Sequence, residues 1–212
     1  MKLSLAEGLM LIALDDDEGR LLAAAERSIN HGLLASSIME LSLIHKISFS
    51  GGKIIVKDSS GTGNKILDGI LKSLGGGGDT VPATIDKLAP SFETIQDDVI
   101  EMLVQRGILS IESTKLLFIP ISERMDNANY AFEQEIRDVL RAVVLKGQKP
   151  TPAVVILLSM ISNCRILEEV FKDEDELIDA IKVAKDILKA GAVDNEVKTV
   201  LEQLKQYFAA IQ

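Results

Sequence analysis

Carboxylates are the side chains of this sequence whose number and grouping could support chemistry. They form runs at Asp15–Glu18, Asp97–Asp98 and Asp173–Glu176. Carboxylates can bind Mg²⁺ or Ca²⁺, but metal-binding motifs place their oxygen ligands at a characteristic spacing in the sequence. The spacing of these carboxylates does not indicate a metal site, and such runs are typical of solvated helix ends and caps. We therefore predict no metal site, with an enzyme acting through Asp15–Glu18 as the remote alternative.

The histidines and the cysteine do not form a ligand set. His31 lies at a predicted helix start and His45 at a helix-to-strand junction, and neither has a partner at metal-ligand spacing. Cys164 is the single cysteine, so it completes no zinc site and no intramolecular disulfide. Nucleophile motifs such as Gly-x-Ser-x-Gly are absent. The sequence thus predicts no catalytic residue, no cofactor and no enzyme activity.

A strand, a glycine-bearing loop and a helix at residues 53–67, KIIVKDSSGTGNKIL, are similar to a phosphate-binding loop. The match fails in detail, because Asn64 separates Gly63 from Lys65 and no Ser or Thr follows the lysine to hold magnesium. The strand is also better explained as half of a hairpin. Nucleotide binding is therefore not expected.

Composition narrows the classes of protein to which the chain could belong. The 212 residues are 47% hydrophobic and 4% aromatic, with Leu, Ile, Val and Ala dominating, which favours a mostly helical fold. The formal net charge of −9 argues against nucleic-acid binding, which needs a basic surface. The same charge weakens bulk attraction to anionic membranes. A single cysteine indicates a reducing, cytoplasmic location.

Near the start of the chain, six apolar residues, Leu9 to Leu14, are followed directly by three aspartates. Either a secretion signal or a buried helix could produce this pattern. A secretion signal would need a small-residue cleavage site, which is absent. A capping box explains the segment better, with Ser4 capping a buried helix and Glu7 reaching back to its backbone. No apolar run approaches the length that a transmembrane helix needs.

Caps, glycines and hydrophobic periodicity predict the remaining elements. Residues 75–78, GGGG, are predicted to form an exposed loop. The fold class is mostly α: a single globular multi-helix domain spanning residues 1–212 with one or two short β-hairpins. Hairpins are expected at 46–57 and 108–122, and helices at 5–14, at Gly32–Ile44, after Asn64, after Pro82, from Ser91 to Arg106, at Phe132–Lys146, from Pro152, at Glu174–Lys189 and from Asp194.

A helix followed by a hairpin at residues 91–122 is also the order found in a winged helix. The helix carries Glu93, Asp97, Asp98 and Glu101, whose charges would repel phosphates. A winged helix that contacts another protein is compatible with this pattern, whereas one that binds DNA is not.

The order of these elements resembles the Golgi phosphoprotein 3 family, and we identify the sequence as a divergent, prokaryotic-type member. The resemblance covers the first sixty per cent of the chain in order, and the C-terminal helices fit more loosely. Four stretches carry it: LSLAEGLMLIALDDDEGR at 3–20, GLLASSIMELSLIHKI at 32–47, TGNKILDGIL at 62–71 and LVQRGILSIESTKLLFIPI at 103–121.

The resemblance implies a single helical domain without catalytic activity. Eukaryotic members are peripheral adaptors that bind phosphatidylinositol 4-phosphate and hold enzymes in the Golgi. Their lipid pocket uses an aromatic residue and three arginines, which align here with Ala25, Leu34, Glu93 and Gln96. None of these four has the required type, so the bidentate phosphate grip of the arginines is expected to be lost.

The apolar hairpin is retained better than the lipid pocket. Leu116, Leu117, Phe118 and Ile119 match the family's exposed hydrophobic tip, with Lys115 at its edge. Alternation predicts Leu117 and Ile119 on one face and Leu116 and Phe118 on the other. An exposed apolar tip would dip into a membrane or join two copies, and the opposing interpretation is that all four side chains pack into the core.

The sequence therefore leaves two possible functions. The first is a non-enzymatic peripheral membrane adaptor that docks on a membrane surface or a membrane-protein tail through the hairpin, with its affinity coming from apolar burial. The alternative is an interaction domain that uses the same hairpin for protein contact or homo-oligomerisation, without lipid binding. Both place the protein in the cytoplasm, at the membrane periphery in the first case, and neither involves nucleic acid.

Overall fold

The N-terminal helix begins with the capping box that the sequence predicts. The Ser4 hydroxyl accepts a hydrogen bond from the Glu7 N–H at 3.2 Å, and the Glu7 carboxylate accepts one from the Ser4 N–H at 2.8 Å. Together these bonds satisfy two backbone donors that a helix start would otherwise leave unpaired. The computed structural model describes residues 3–15, 20–116, 119–127 and 130–211.

The described residues are mostly helical, as the sequence predicts. Two 3₁₀ turns, Ala89–Ser91 and Ile187–Ala190, join neighbouring helices. The α-helices in chain order are α1 (Leu5–Ile12), α2 (Ile29–Leu43), α3 (Lys65–Leu74), α4 (Val81–Leu88), α5 (Ile95–Gln105), α6 (Tyr130–Lys146), α7 (Pro152–Asn163), α8 (Leu167–Val170), α9 (Glu174–Asp186) and α10 (Asn195–Ile211).

The core is centred on α1, α2 and α7. Every residue of α1 is buried, and α2 and α7 are buried over most of their lengths, because all three are apolar around most of their circumference. Helices α5 and α6 pack on α1, while α3, α4 and α5 pack on α2. The two buried helices predicted in the N-terminal part of the chain are confirmed as α1 and α2. Helix α2 begins at Ile29, three residues before the predicted Gly32.

A three-stranded antiparallel sheet lies beside the helices. Its strands are β1 (Ile47–Ser50), β2 (Lys53–Val56) and β3 (Gly77–Thr80), with β2 in the middle. The predicted Gly51–Gly52 turn is confirmed, and both glycines have positive φ angles, 56° and 73°.

The prediction of an exposed loop at residues 75–78 is wrong for its second half. Gly77 and Gly78 begin strand β3, and Gly77 pairs with Ile55 of β2. The physical reason is that a glycine backbone approaches a neighbouring strand more closely than any other residue. Glycine runs are therefore compatible with an edge strand as well as with a loop.

Three helix ends also differ from the prediction. Ser91 does not cap a helix, because it is the last residue of the 3₁₀ turn Ala89–Ser91 and α5 begins only at Ile95. Helix α4 begins at Val81, one residue before Pro82, where the Thr80 hydroxyl caps it. Helix α9 tightens into a 3₁₀ turn after Asp186, before the predicted stop at Gly191.

A separate two-stranded ribbon follows α5. Its strands are β4 (Leu109–Leu116) and β5 (Ile119–Asn127). The second predicted hairpin is thus confirmed, but it extends to residue 127 instead of 122.

Candidate functional site

The β4–β5 ribbon is the element that carries the residues with the strongest functional prediction. Its antiparallel register runs from Leu109 opposite Asn127 to Leu116 opposite Ile119, with one irregularity after Thr114. At about 3.4 Å per residue, the eight residues of β4 extend about 27 Å. The ribbon is therefore long compared with the strands of the three-stranded sheet.

The base of the ribbon is attached to the helical core. Gly107 ends α5 with a φ of 67°, and the Ile108 N–H returns to the Leu103 carbonyl at 2.9 Å. Ile108 and Leu109 are then buried, at 1% and 3% exposure. Beyond its own partner strand, β4 has its most extensive contact with α5. The ribbon thus starts from a fixed point of the core.

An ion pair holds this starting point on α1. Arg106, the residue before Gly107, donates from Nη1 to both Glu7 carboxylate oxygens, at 2.6 and 2.7 Å. Glu7 is 2% exposed, whereas the arginine side chain is 37% exposed. The pair joins the end of α5 to the first turn of α1, and sequence reasoning did not find it.

Three of the predicted contact residues, Lys115, Leu116 and Ile119, lie at the far end of the ribbon. Lys115 pairs with Pro120, and Leu116 pairs with Ile119. Leu117 and Phe118 lie outside the described residues. The prediction of which apolar residue occupies which face therefore stays a prediction.

A second carboxylate lies at the N-terminus of α1. Glu40 accepts a hydrogen bond from the Leu5 N–H at 2.9 Å. Burial raises the pKa of Glu40 above its usual range, the Leu5 hydrogen bond opposes this shift, and the charge of Glu7 adds to it. Two carboxylates thus share the first turn of α1, and one of them has Arg106 as its counter-ion.

Replacing Glu40 by glutamine is expected to raise stability at neutral pH and not at acidic pH. A raised pKa in the folded state means that this group contributes stability below its unfolded pKa and loses that contribution as the pH rises through the folded value. Glu40→Gln keeps an acceptor for the Leu5 N–H and removes the charge. Urea unfolding from pH 4 to pH 8 measures the difference.

Glu40→Ala is the matched variant, because it removes the charge and the acceptor together. It is expected to be less stable than Glu40→Gln at every pH. A stability gain of Glu40→Gln that grows toward acidic pH would contradict the assignment.

The four positions that we predict to align with the family's lipid pocket carry no basic side chain. Ala25 and Leu34 are fully buried, Glu93 is exposed and Gln96 is half-buried. Arg27, the nearest basic residue to the first position, is exposed. Apolar side chains in the core and a carboxylate at the surface supply no guanidinium for a phosphate.

An open cleft of about 510 Å³ between α6, α8 and α9 is a feature that sequence reasoning missed. Glu133, 5% exposed, pairs with Arg137 at 2.5 Å, and Glu176 pairs with Arg141 at 2.6 Å. The spacing of four residues between Glu133 and Arg137, which is typical of ion pairs on a helix, could have indicated this pair from the sequence. The cleft contains as many carboxylates as cations, because Lys172 and Asp173 also line it, so it presents no excess charge to an ion.

The two histidines, the cysteine and the acidic run are the remaining candidate residues from the sequence. The His31 ring contacts that of Tyr207 at 5.9 Å between centroids, and His45 is exposed after α2. Burial raises the pKa of Cys164 to about 12, so its thiol is protonated at neutral pH. Residues 16–18 of the acidic run lie outside the described residues. Elsewhere in the described chain, no three His, Cys, Asp or Glu side chains gather as metal ligands would.

Comparison with known proteins gives one family. Residues 5–204 match the family model described as Golgi phosphoprotein 3 (GPP34), which is nearly the whole chain. No curated protein matches the sequence. Among the described residues, no helix has both the length and the apolar composition to cross a bilayer. The match includes the capped α1, the buried α2 and the ribbon, and the chain belongs to the Golgi phosphoprotein 3 family.

Proposed function

We propose that the protein is a non-enzymatic peripheral adaptor that docks on membrane surfaces through the tip of the β4–β5 ribbon. The observation that carries the proposal is the pairing of Leu116 with Ile119 at the far end of a ribbon whose base is fixed on the core. In the sequence these two residues flank Leu117 and Phe118. The family membership supports an adaptor role in place of catalysis.

Apolar burial supplies the affinity in this proposal. Burying one Leu, Ile or Phe side chain contributes about 1.5–3 kcal/mol, so a few side chains give reversible binding. Charge contributes little, because the chain has a net charge of −9 and Asp97 and Glu101 on neighbouring α5 are exposed. We expect neutral vesicles to bind at least as well as anionic ones.

Binding is also proposed to be independent of phosphatidylinositol 4-phosphate. The buried Leu34, the exposed Glu93 and the half-buried Gln96 stand at the positions that align with the three arginines of the eukaryotic lipid pocket. A carboxylate at this surface would repel a phosphate headgroup. The family function is therefore proposed to persist with a different basis for lipid binding.

Vesicle flotation tests the proposal. The wild-type protein is expected to float with phosphatidylcholine vesicles, and addition of phosphatidylinositol 4-phosphate is expected to change nothing. Phe118→Asp should weaken binding by about 2 kcal/mol, roughly thirtyfold, because an apolar contact is replaced by a charge.

Ile178→Asp is the matched control, since Ile178 is an exposed apolar residue of α9, outside the ribbon. It should float like the wild type. Absence of flotation, dependence on the phosphoinositide, or equal behaviour of both variants would contradict membrane docking. If the unbound protein forms oligomers in light scattering that Phe118→Asp disrupts, and it does not float, the tip serves self-association instead.

A further inference from the structure

Helix α9 lies at the surface with most of its side chains in solvent. It packs against α6, α7 and α8, yet Ala180 is the one buried residue of the helix. Ile178 and Ile181, one turn apart, are 44% and 39% exposed. A helix face that stays in water normally carries polar side chains. The two isoleucines therefore form an apolar patch that is open to solvent.

A charged residue lies at each end of this patch, on the same face of α9. Glu174, Ile178, Ile181 and Lys185 follow one another at spacings of four, three and four residues, and all of them are exposed. At about 100° per residue, these spacings place the four side chains within about 60° of one another around the helix. The periodicity holds over the whole set, because α9 is α-helical from Glu174 to Asp186. We name these four residues the α9 stripe.

The charges at the two ends of the stripe are available to a partner. Other charges of the helix are paired locally, since Lys182 bonds to Asp179 at 3.2 Å. Within the described chain, neither Glu174 nor Lys185 has a hydrogen-bonded or ionic side-chain partner. The stripe thus presents an acidic end, an apolar centre and a basic end.

This order of residues makes the stripe complementary to itself. The midpoint between Glu174 and Lys185 falls between Asp179 and Ala180, and the midpoint between Ile178 and Ile181 falls at the same point. A second α9 that runs antiparallel about this point therefore places Glu174 of each copy opposite Lys185 of the other, with the isoleucines in contact between them. A parallel pair would instead place Glu174 opposite Glu174.

We propose that two copies of the chain associate through antiparallel α9 helices related by a two-fold axis. A two-fold interface uses the same surface on both subunits, so it requires the self-complementarity that the stripe has. The apolar centre supplies affinity, and the end charges select the antiparallel register. The net charge of −9 on each copy repels mainly at long range, where about 0.15 M salt screens it. Because one helix pair is smaller than a standard interface, we expect a weak, reversible dimer.

Sedimentation equilibrium at about 0.15 M salt, with protein from about 10 µM to about 1 mM, tests the proposal. The wild type should show a monomer–dimer equilibrium. Ile181→Asp should weaken dimerisation at least about tenfold, because the two-fold axis repeats the change on both sides. Ile55→Asp is the control, at a residue of β2 that is 37% exposed, and should dimerise like the wild type. A monomer at every concentration, or equal affinities of these two variants, would overturn the proposal.

Reversal of the end charges tests the antiparallel register. Glu174→Lys should weaken dimerisation at least about tenfold, because two Lys–Lys contacts replace two ion pairs. In a parallel pair the same change would have little effect, since like charges already meet there. Asp175→Lys makes the same change in the same turn but outside the stripe, and should alter the affinity less than about twofold. Equal affinities of these two variants would contradict the register.

Lys185→Glu should also lose the homodimer. Mixed with Glu174→Lys, it should form a heterodimer with about the wild-type affinity, because every lysine of one variant then faces a glutamate of the other. Failure of this mixture to associate would overturn the assigned contacts.

The α9 stripe is separate from the tip of the ribbon, so the two proposals can fail independently. Phe118→Asp should weaken vesicle binding and leave the dimer unchanged. A dimer that Phe118→Asp dissociates would place self-association at the ribbon and overturn the pairing of α9. Flotation at protein concentrations below the dissociation constant of the dimer compares single copies, so Ile178→Asp remains a control for docking there.

Discussion

Arg106→Leu is expected to lower the free energy of unfolding by about 3 kcal/mol. Removing one partner of a buried ion pair costs about 3–5 kcal/mol, because the other charge stays buried. The lower end applies here, since Arg106 is 37% exposed and the Ser4 N–H still bonds to Glu7. Urea unfolding at pH 7 measures the loss.

Adding Glu7→Gln to Arg106→Leu should restore much of this stability, because no buried charge is then left unpaired. Lys65→Leu is the control, since its ion pair with Asp98 has an 80% exposed lysine, and no measurable change is expected. If Arg106→Leu is no more destabilising than Lys65→Leu, the pair does not hold the base of the ribbon as inferred.

Gly77→Ala is expected to lower the free energy of unfolding by a similar amount, about 3 kcal/mol. Gly77 has a φ of 79°, which costs other residues about 1–2 kcal/mol. A Cβ there would overlap the carbonyl oxygen of Ile54 on the paired strand. Displacing a backbone atom adds about 1–3 kcal/mol. Thermal unfolding followed by circular dichroism would detect the loss.

The adjacent Gly76→Ala is a closely matched control. A Cβ on Gly76 meets no atom within 4 Å, and its φ lies outside the positive range. Its stability should stay within about 0.5 kcal/mol of the wild type. If both variants lose equal stability, the close approach of Gly77 to β2 is not the cause.

Local signals account for the parts of the fold that the sequence predicted well. Ser4 and Glu7 lie three residues apart, Asn64 precedes an apolar periodic segment, and Thr151 precedes a proline; all three begin helices as expected. Each cap depends on atoms within three residues of it in the chain. Such contacts can be inferred without knowing the rest of the fold.

Features that depend on distant residues were not predictable in this way. Arg106 and Glu7 are 99 residues apart in sequence, and β3 becomes a strand only because β2 is beside it.

The ion pair at the base of the ribbon also has a mechanical consequence. Arg106 lies three residues before strand β4, and its partner Glu7 belongs to a helix that is buried along its entire length. A pull on the ribbon would therefore be resisted at the centre of the molecule, through the hydrogen bonds between Arg106 and Glu7.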